Sequence, residues 1–329
     1  MRPYRTQERQ LVVKYIIRRL LISIPVLLGI TMITFAAYNL APGDPISAMI
    51  DPSVPVPPEV LEKMKEDLGL NKPVYIRYLI WLKEAARGNL GYAYNSSTPV
   101  LQKIGDRLPA TLALTISSLL LALSLGVPLG VYSALRQYSL LDYVLTFFAF
   151  FAVSIPAFFF ALGIIYIFSV RLGLFPVQGI RNPDAPNQFL DFLRHLILPA
   201  TALGLERIAG FLRYTRSAVL EVLSQDYMTT ARAKGLPERV VLWRHGFRNA
   251  LISLITILSL SIPGLFGGAF IIEWIFSWPG MGQLAISSVN MRDYPTLMGI
   301  ALIGSTLVLL SNLLADILYA VADPRIRYA

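Results

Sequence analysis

Long apolar runs separated by short charged or proline-rich stretches organise this chain. Runs at about 20–40, 108–135, 143–170, 251–276 and 294–321 are each long enough to cross roughly 30 Å of hydrocarbon as a helix. A weaker run, 196–212, holds Glu206 and Arg207, and charges at such a depth are tolerated where they face protein or water. The first run ends at Ala41-Pro42-Gly43-Asp44-Pro45, a strong helix stop. Lys14, Arg18 and Arg19 before it imitate a signal peptide, but its apolar core outruns the roughly 7–15 residues of such a segment, so a retained span is expected.

Two polar stretches carry helical periodicity of their own. Over 59–87, Leu61, Met64, Leu68, Tyr75, Tyr78, Leu79 and Leu82 recur at helical spacing between prolines at 52, 55, 57, 58 and 73, which predicts a small folded segment. Over 221–250, Leu223, Tyr227 and Ala231 continue one helical face from Val219 and Leu220. Gly235 suits a left-handed helix end, and Pro237 with Glu238 suits the first turn of a second helix bearing Val240, Trp243, Phe247 and Leu251. A helix-turn-helix lying across the membrane surface is expected there, one face against the spans and the other open to a partner. Basic residues pairing with lipid headgroups would give the same composition.

Composition and charge fix the class. With 55% hydrophobic and 15% charged residues over 329 positions, the chain reads as an all-α polytopic membrane protein rather than a barrel of short alternating segments. Residues 1–19 hold six Lys/Arg against one acid, and 213–250 hold seven against three. Residues 41–107 balance eight against eight, and 277–293 balance Arg292 against Asp293. Positive charge is retained on the cytoplasmic side. Both termini and 213–250 share that side only if the weak fourth run spans, so six transmembrane helices are predicted. The organisation is a tail and first helix (1–40), an extracytoplasmic segment (41–107), a five-helix core with its surface segment (108–321) and a cytoplasmic tail (322–329).

Little in the spans points to bond-making chemistry. There is no cysteine, no Ser/His or paired-Asp constellation and no phosphate-binding glycine loop, so no cofactor, metal or nucleotide site is expected. Gly126-x3-Gly130 and Gly264-x3-Gly268 are candidates for close helix packing or for bending. Glu206 and Arg207 are read as facing a pathway or pairing between helices, whereas Glu273 and Asp316 are placed near headgroups, with Trp274 and Trp278 anchoring at the interface. His195 and His245 are read as structural. An ion-coupled secondary transporter is the alternative of a different class, and inverted repeats with broken helices would mark it.

Asp226-Tyr227, Thr230-Ala231-Arg232-Ala233-Lys234-Gly235-Leu236, Arg244-His245 and Arg248-Asn249-Ala250-Leu251 together resemble the coupling motif of ABC import permeases, within their oligopeptide and dipeptide branch. Other islands follow in the same order. They include Arg107-Leu108-Pro109-Ala110-Thr111-Leu112, Arg171-Leu172-Gly173-Leu174-Phe175-Pro176-Val177, Phe276-Ser277-Trp278-Pro279-Gly280-Met281-Gly282 and the tail Asp323-Pro324-Arg325-Ile326-Arg327. One departure is Ser253, where the family usually places proline. The resemblance implies a type I importer permease fold without an ATP site of its own. Its implied partners are a second homologous permease, two ATPases and an extracytoplasmic solute-binding protein. It implies coupling through Asp226, Tyr227, Ala231, Lys234, Gly235 and Arg239. Peptides are the implied solute, with oligosaccharides, nickel or glutathione as alternatives. The third and fifth spans are expected to line the pathway, with Ser261, Pro263, Gly264, Gly267 and Gly268 at its constriction.

Overall fold

The computed structural model describes residues 3–40, 46, 56–67, 69–94, 96, 98–266 and 269–322, with backbone alone for 3–15, 245, 252 and 318–322. The Ala41–Pro45 stop, Gly267, Gly268 and the tail from Asp323 lie outside the described residues. The chain opens with α1 (Pro3–Leu40), then two short helices, α2 (Pro58–Asp67) and α3 (Val74–Ala85), and the long α4 (Val100–Leu135). Next come α5 (Leu140–Ser154) and α6 (Ala157–Ile164), the latter prolonged by a π-helical turn over Ile165–Arg171, and then α7 (Gln188–Leu223). The polar stretch forms α8 (Asp226–Ala233) and α9 (Glu238–Val240). A π turn, Val241–Phe247, leads on into α10 (Arg248–Ser261), and α11 (Phe270–Ile275), α12 (Met281–Asn290) and α13 (Tyr294–Ala322) complete the chain. Among the described residues the sole strand-like pairing is an isolated bridge between Tyr92 and Pro99.

Five stretches are long and apolar enough to cross a membrane, 16–40, 100–135, 188–223, 238–265 and 294–317, and the α5–α6 pair supplies a sixth when taken as one span. Three particulars differ from the sequence expectation. The third span is broken by a 106° bend rather than straight. Pro156 causes this: it lacks a backbone N–H and drives Ile155 into an extended conformation, φ −86° and ψ 127°. The fifth span is not one helix over 251–276. Pro263 offers no amide to continue α10, a 3-10 turn follows at Pro263–Leu265, and α11 is a separate short helix. The weak fourth run is the middle of a 36-residue helix, α7, whose start is capped by Asn187 accepting from the Leu190 amide at 3.0 Å. Polar residues at both ends hide its length from a hydropathy reading.

The chain forms two compact units, one from 1–109 with 280–310 and the other from 110–279 with 311–327. In the first, Leu90, Val100, Ile104, Met281 and Leu284 make the core. Gly299 on α13 sits so close to Val100 that a Cβ there would run into its Cγ1, and the valine side chain would have to shift. Buried Asp293 caps α13, accepting from the Thr296 hydroxyl at 2.7 Å and the Tyr94 amide at 3.2 Å, with Lys103 Nζ at 3.5 Å. The folded segment expected over 59–87 is formed by α2 and α3. Tyr78 ties α3 to α1, sharing a 3.0 Å hydrogen bond with Thr31 and packing its ring on Phe35 at 5.4 Å.

In the second unit Trp278, fully buried, joins Leu114, Ile164, Leu198, Ile272 and Phe276 in the largest core cluster. Its indole N–H donates to the Ala110 carbonyl at 2.8 Å, satisfying the one polar atom this large side chain buries. Gly126 and Gly130 allow α4 and α7 to meet backbone to backbone. A Cβ at 126 would lie 2.8 Å from the Ile208 carbonyl oxygen, and one at 130 would lie 2.6 Å from that of Leu212. The packing reading of this glycine pair therefore holds. Between lipid-immersed helices such close packing replaces the hydrophobic drive that water supplies elsewhere.

Candidate functional site

The polar segment after α7 folds as two short helices closed by a glycine turn. The face expected to run unbroken from Val219 to Ala231 is interrupted, since α7 ends at Leu223 and Gln225 is extended before α8 begins. Gly235 takes φ +74°, the left-handed conformation that suits glycine, and Pro237 opens α9. Arg232 bridges this turn to Glu238, with Nη2 at 3.0 Å from Oε1 and Nε at 3.2 Å from Oε2. Both side chains are well exposed, so the pair orients the turn more than it stabilises it. Cohesion comes from Met228, Ala231 and Val241, buried together with Leu223 against them.

This geometry sorts the six coupling candidates. Asp226, Tyr227, Lys234, Gly235 and Arg239 are exposed on one continuous stretch of chain, and the Tyr227 hydroxyl accepts from Asn249 Nδ2 at 3.2 Å. Ala231 is the correction: it packs inward, 6% exposed, so it holds α8 in place instead of presenting a side chain to a partner. Trp243, on the π turn, is 56% exposed and meets Phe247 edge to face at 5.3 Å.

Among the pathway candidates, Gly264 lies beside Arg207. Its guanidinium donates to the Ser118 hydroxyl at 3.1 Å and the Thr115 carbonyl at 3.3 Å. Thr115 in turn donates to the Leu265 carbonyl at 3.0 Å, which ties α4 to the turn at Pro263–Leu265. A Cβ built at Gly264 would stand 3.9 Å from Arg207 Nη2, so Gly264 leaves room beside the cation rather than packing tightly. Glu206 is adjacent in sequence and exposed. Ser261 lies in the last turn of α10 with its hydroxyl turned back to the Ile257 carbonyl at 2.9 Å. Gly267 and Gly268 lie outside the described residues.

Three polar features were misplaced or missed in the sequence. Glu273, expected near headgroups, is fully buried and accepts from the Thr111 hydroxyl at 2.7 Å. Trp278, expected at the interface, is core. In both cases the short helix α11 and the turn after it fold inward, against α4, instead of ending a straight span. Asp142 and Arg216 form a bidentate pair at 2.8 and 2.9 Å. The Ser133 hydroxyl and the Tyr138 amide also donate to this carboxylate. The partners are 74 residues apart, and only their shared position at like-sided span ends hinted at the pair. His195 is structural, its Nδ1 lying 2.9 Å from the Asp191 carbonyl and 3.3 Å from its carboxylate.

Among the described residues, up to six candidate membrane spans and an exposed, glycine-turned segment of short helices are the outline of a membrane subunit. The chain belongs to the family described as binding-protein-dependent transport system inner membrane component, matched over residues 126–328, with the N-terminal component of such systems matched over 12–115. It is 48% identical over 315 residues to the oligopeptide transport system permease protein AppB of Bacillus subtilis, covering 95% of this chain and 99% of that one. It is 37% identical over 336 residues to the dipeptide transport system permease protein DppB of Escherichia coli, covering 96% and 99%. In fold it matches a chain from the inward-facing MetNI methionine ABC transporter with a TM-score of 0.53 and 16% identity, over 68% of this chain and 97% of that one.

Proposed function

We propose that this protein is one of two permease subunits in an importer of di- and oligopeptides, driven by two separate ATPases and fed by an extracytoplasmic binding protein. Full-length similarity to a permease named for oligopeptide transport carries the reading of the solute. Both termini and the α8–α9 segment face the cytoplasm in this reading, because the charge excess of 1–19 and 213–250 is retained there. Asp226, Tyr227, Lys234, Gly235 and Arg239 form the surface an ATPase engages, and motion enters α10 through the π turn that joins it to α9. At the far end of α10 the Pro263–Leu265 turn, Ser261, Arg207 and Glu206 border the pathway, where an exposed mid-span carboxylate meets water rather than lipid. Residues 41–107 receive the binding protein.

Co-expression of this chain with the ATPases, permease and binding protein of its own system, followed by reconstitution in vesicles, tests the reading. ATP-dependent uptake of a labelled peptide is the expected result. Purification without any ATPase, or uptake confined to oligosaccharide or nickel, would overturn it.

A further inference from the structure

The first unit contains a cavity of about 330 Å³ between the outer part of α1, the α2–α3 turn, α3 and the start of α13. That volume falls within the range of small-molecule sites. Its lining is unusual in carrying both signs of charge: Glu66 and Asp67 at the end of α2, Lys72 in the turn, and Arg77 on α3. Glu66, Asp67 and Lys72 have no ion-pair partner among the described residues, and Arg77 lies over the Phe35 ring at 5.9 Å instead of meeting an acid. Glu66, Asp67 and Lys72 are all exposed to solvent, so their charges are open to a solute entering the cavity.

The walls between these charges are aromatic. Tyr38 and Tyr294 stack at 5.9 Å, and Trp81 and Tyr94 also line the space. The Trp81 indole N–H is buried without an acceptor, a donor that ordinarily finds a partner. Burial holds the Tyr94 phenol above its ordinary pKa.

We propose that this cavity binds a small zwitterion of dipeptide size, its ammonium toward Glu66 and Asp67, its carboxylate toward Lys72 and Arg77, and its apolar body against the aromatic walls. The inference rests on the peptide-import reading for the choice of ligand, and it adds a solute site separate from the residues placed on the pathway. In the orientation proposed above, the cavity opens on the extracytoplasmic side.

The test uses the assembled transporter in nanodiscs, titrated with the dipeptide Ala-Phe while tryptophan fluorescence is followed. A saturable change that disappears in Trp81→Phe is expected. The double variant Glu66→Gln/Asp67→Asn and the single variant Lys72→Gln should each weaken binding about tenfold, the scale of a lost charged hydrogen bond. N-acetylation of the peptide should cost wild type a similar factor and cost the acidic double variant nothing more. Affinity unchanged by these charge substitutions, or binding of the N-acetylated or the amidated peptide as tight as that of free Ala-Phe, would overturn the site. Uptake of labelled Ala-Phe is measured in parallel. Uptake with no response from Trp81 overturns this site and leaves the import reading standing, while the Trp81 response without uptake supports the site and counts against import of that peptide.

Discussion

Gly235 and Asp142 show how single residues set the behaviour of the surface segment and of the span ends. At Gly235 there is open space around the α-carbon, so bulk is harmless and conformation decides. A β-branched side chain at φ +74° is strongly disfavoured. Gly235→Val is expected to leave the chain inserted while uncoupling ATP hydrolysis from uptake, so uptake per ATP falls at least about tenfold in reconstituted vesicles; uptake at the wild-type level would refute a coupling role. Asp142 is different because its cost is electrostatic. Asp142→Ala leaves Arg216 without its counter-charge and frees Tyr138, which sits at φ +64° under the hold of that carboxylate. A loss of about 3 kcal/mol is expected, read as a lowered thermal midpoint in detergent, with Asp142→Ala/Arg216→Met recovering part of it.

At the scale of elements, the sequence showed most where periodicity and residue chemistry agreed. The spans, the helices α2 and α3, and the Gly235 turn flanked by Arg232 and Pro237 were all legible because each rests on local pattern. Breaks within spans were not. Pro156 and Pro263 were visible as letters, but whether a proline kinks a helix or ends it depends on what receives the freed carbonyls, which is a tertiary matter. Glu273 looked interfacial because nothing local reveals that Thr111, 162 residues away, donates to it. The glycine pair at 126 and 130 could be read either as packing or as bending until α7 was seen against it. Gly130→Leu should therefore separate α4 from α7 and cost about 1–3 kcal/mol by overpacking, measured as a lower unfolding temperature, whereas Gly264→Ala should cost little. The broken end of α10 carries its own test. The chain has no cysteine, so single cysteines placed from 257 to 270 report water access without background. Thiol reagents should reach positions around Ser261 and Gly264 in a nucleotide-dependent way, and no labelling at any position from 257 to 270 in any nucleotide state would move the pathway elsewhere.

For the whole molecule, membrane orientation decides which partner meets which surface, and charge is the argument for it. Residues 1–19 and 213–250 carry the excess of Lys and Arg, while 41–107 are neutral despite sixteen charged side chains, eight of each sign. In the proposed orientation the basic stretches are retained on one side and α2 and α3 lie on the other. These helices are no loose linker, because Tyr78 fixes α3 to α1 through Thr31 and Phe35. They hold Glu62 and Lys83 exposed on a folded surface, suited to receiving a protein rather than lipid. A photo-reactive maleimide attached at Glu62→Cys or Lys83→Cys should capture the solute-binding protein in intact cells, and a membrane-impermeant thiol reagent added outside should block both sites. A cysteine at Lys234 should resist that reagent until the membrane is opened, and then crosslink to an ATPase. Protection of positions 62 and 83 from outside, with position 234 freely labelled, would invert the topology and with it the assignment of both partners.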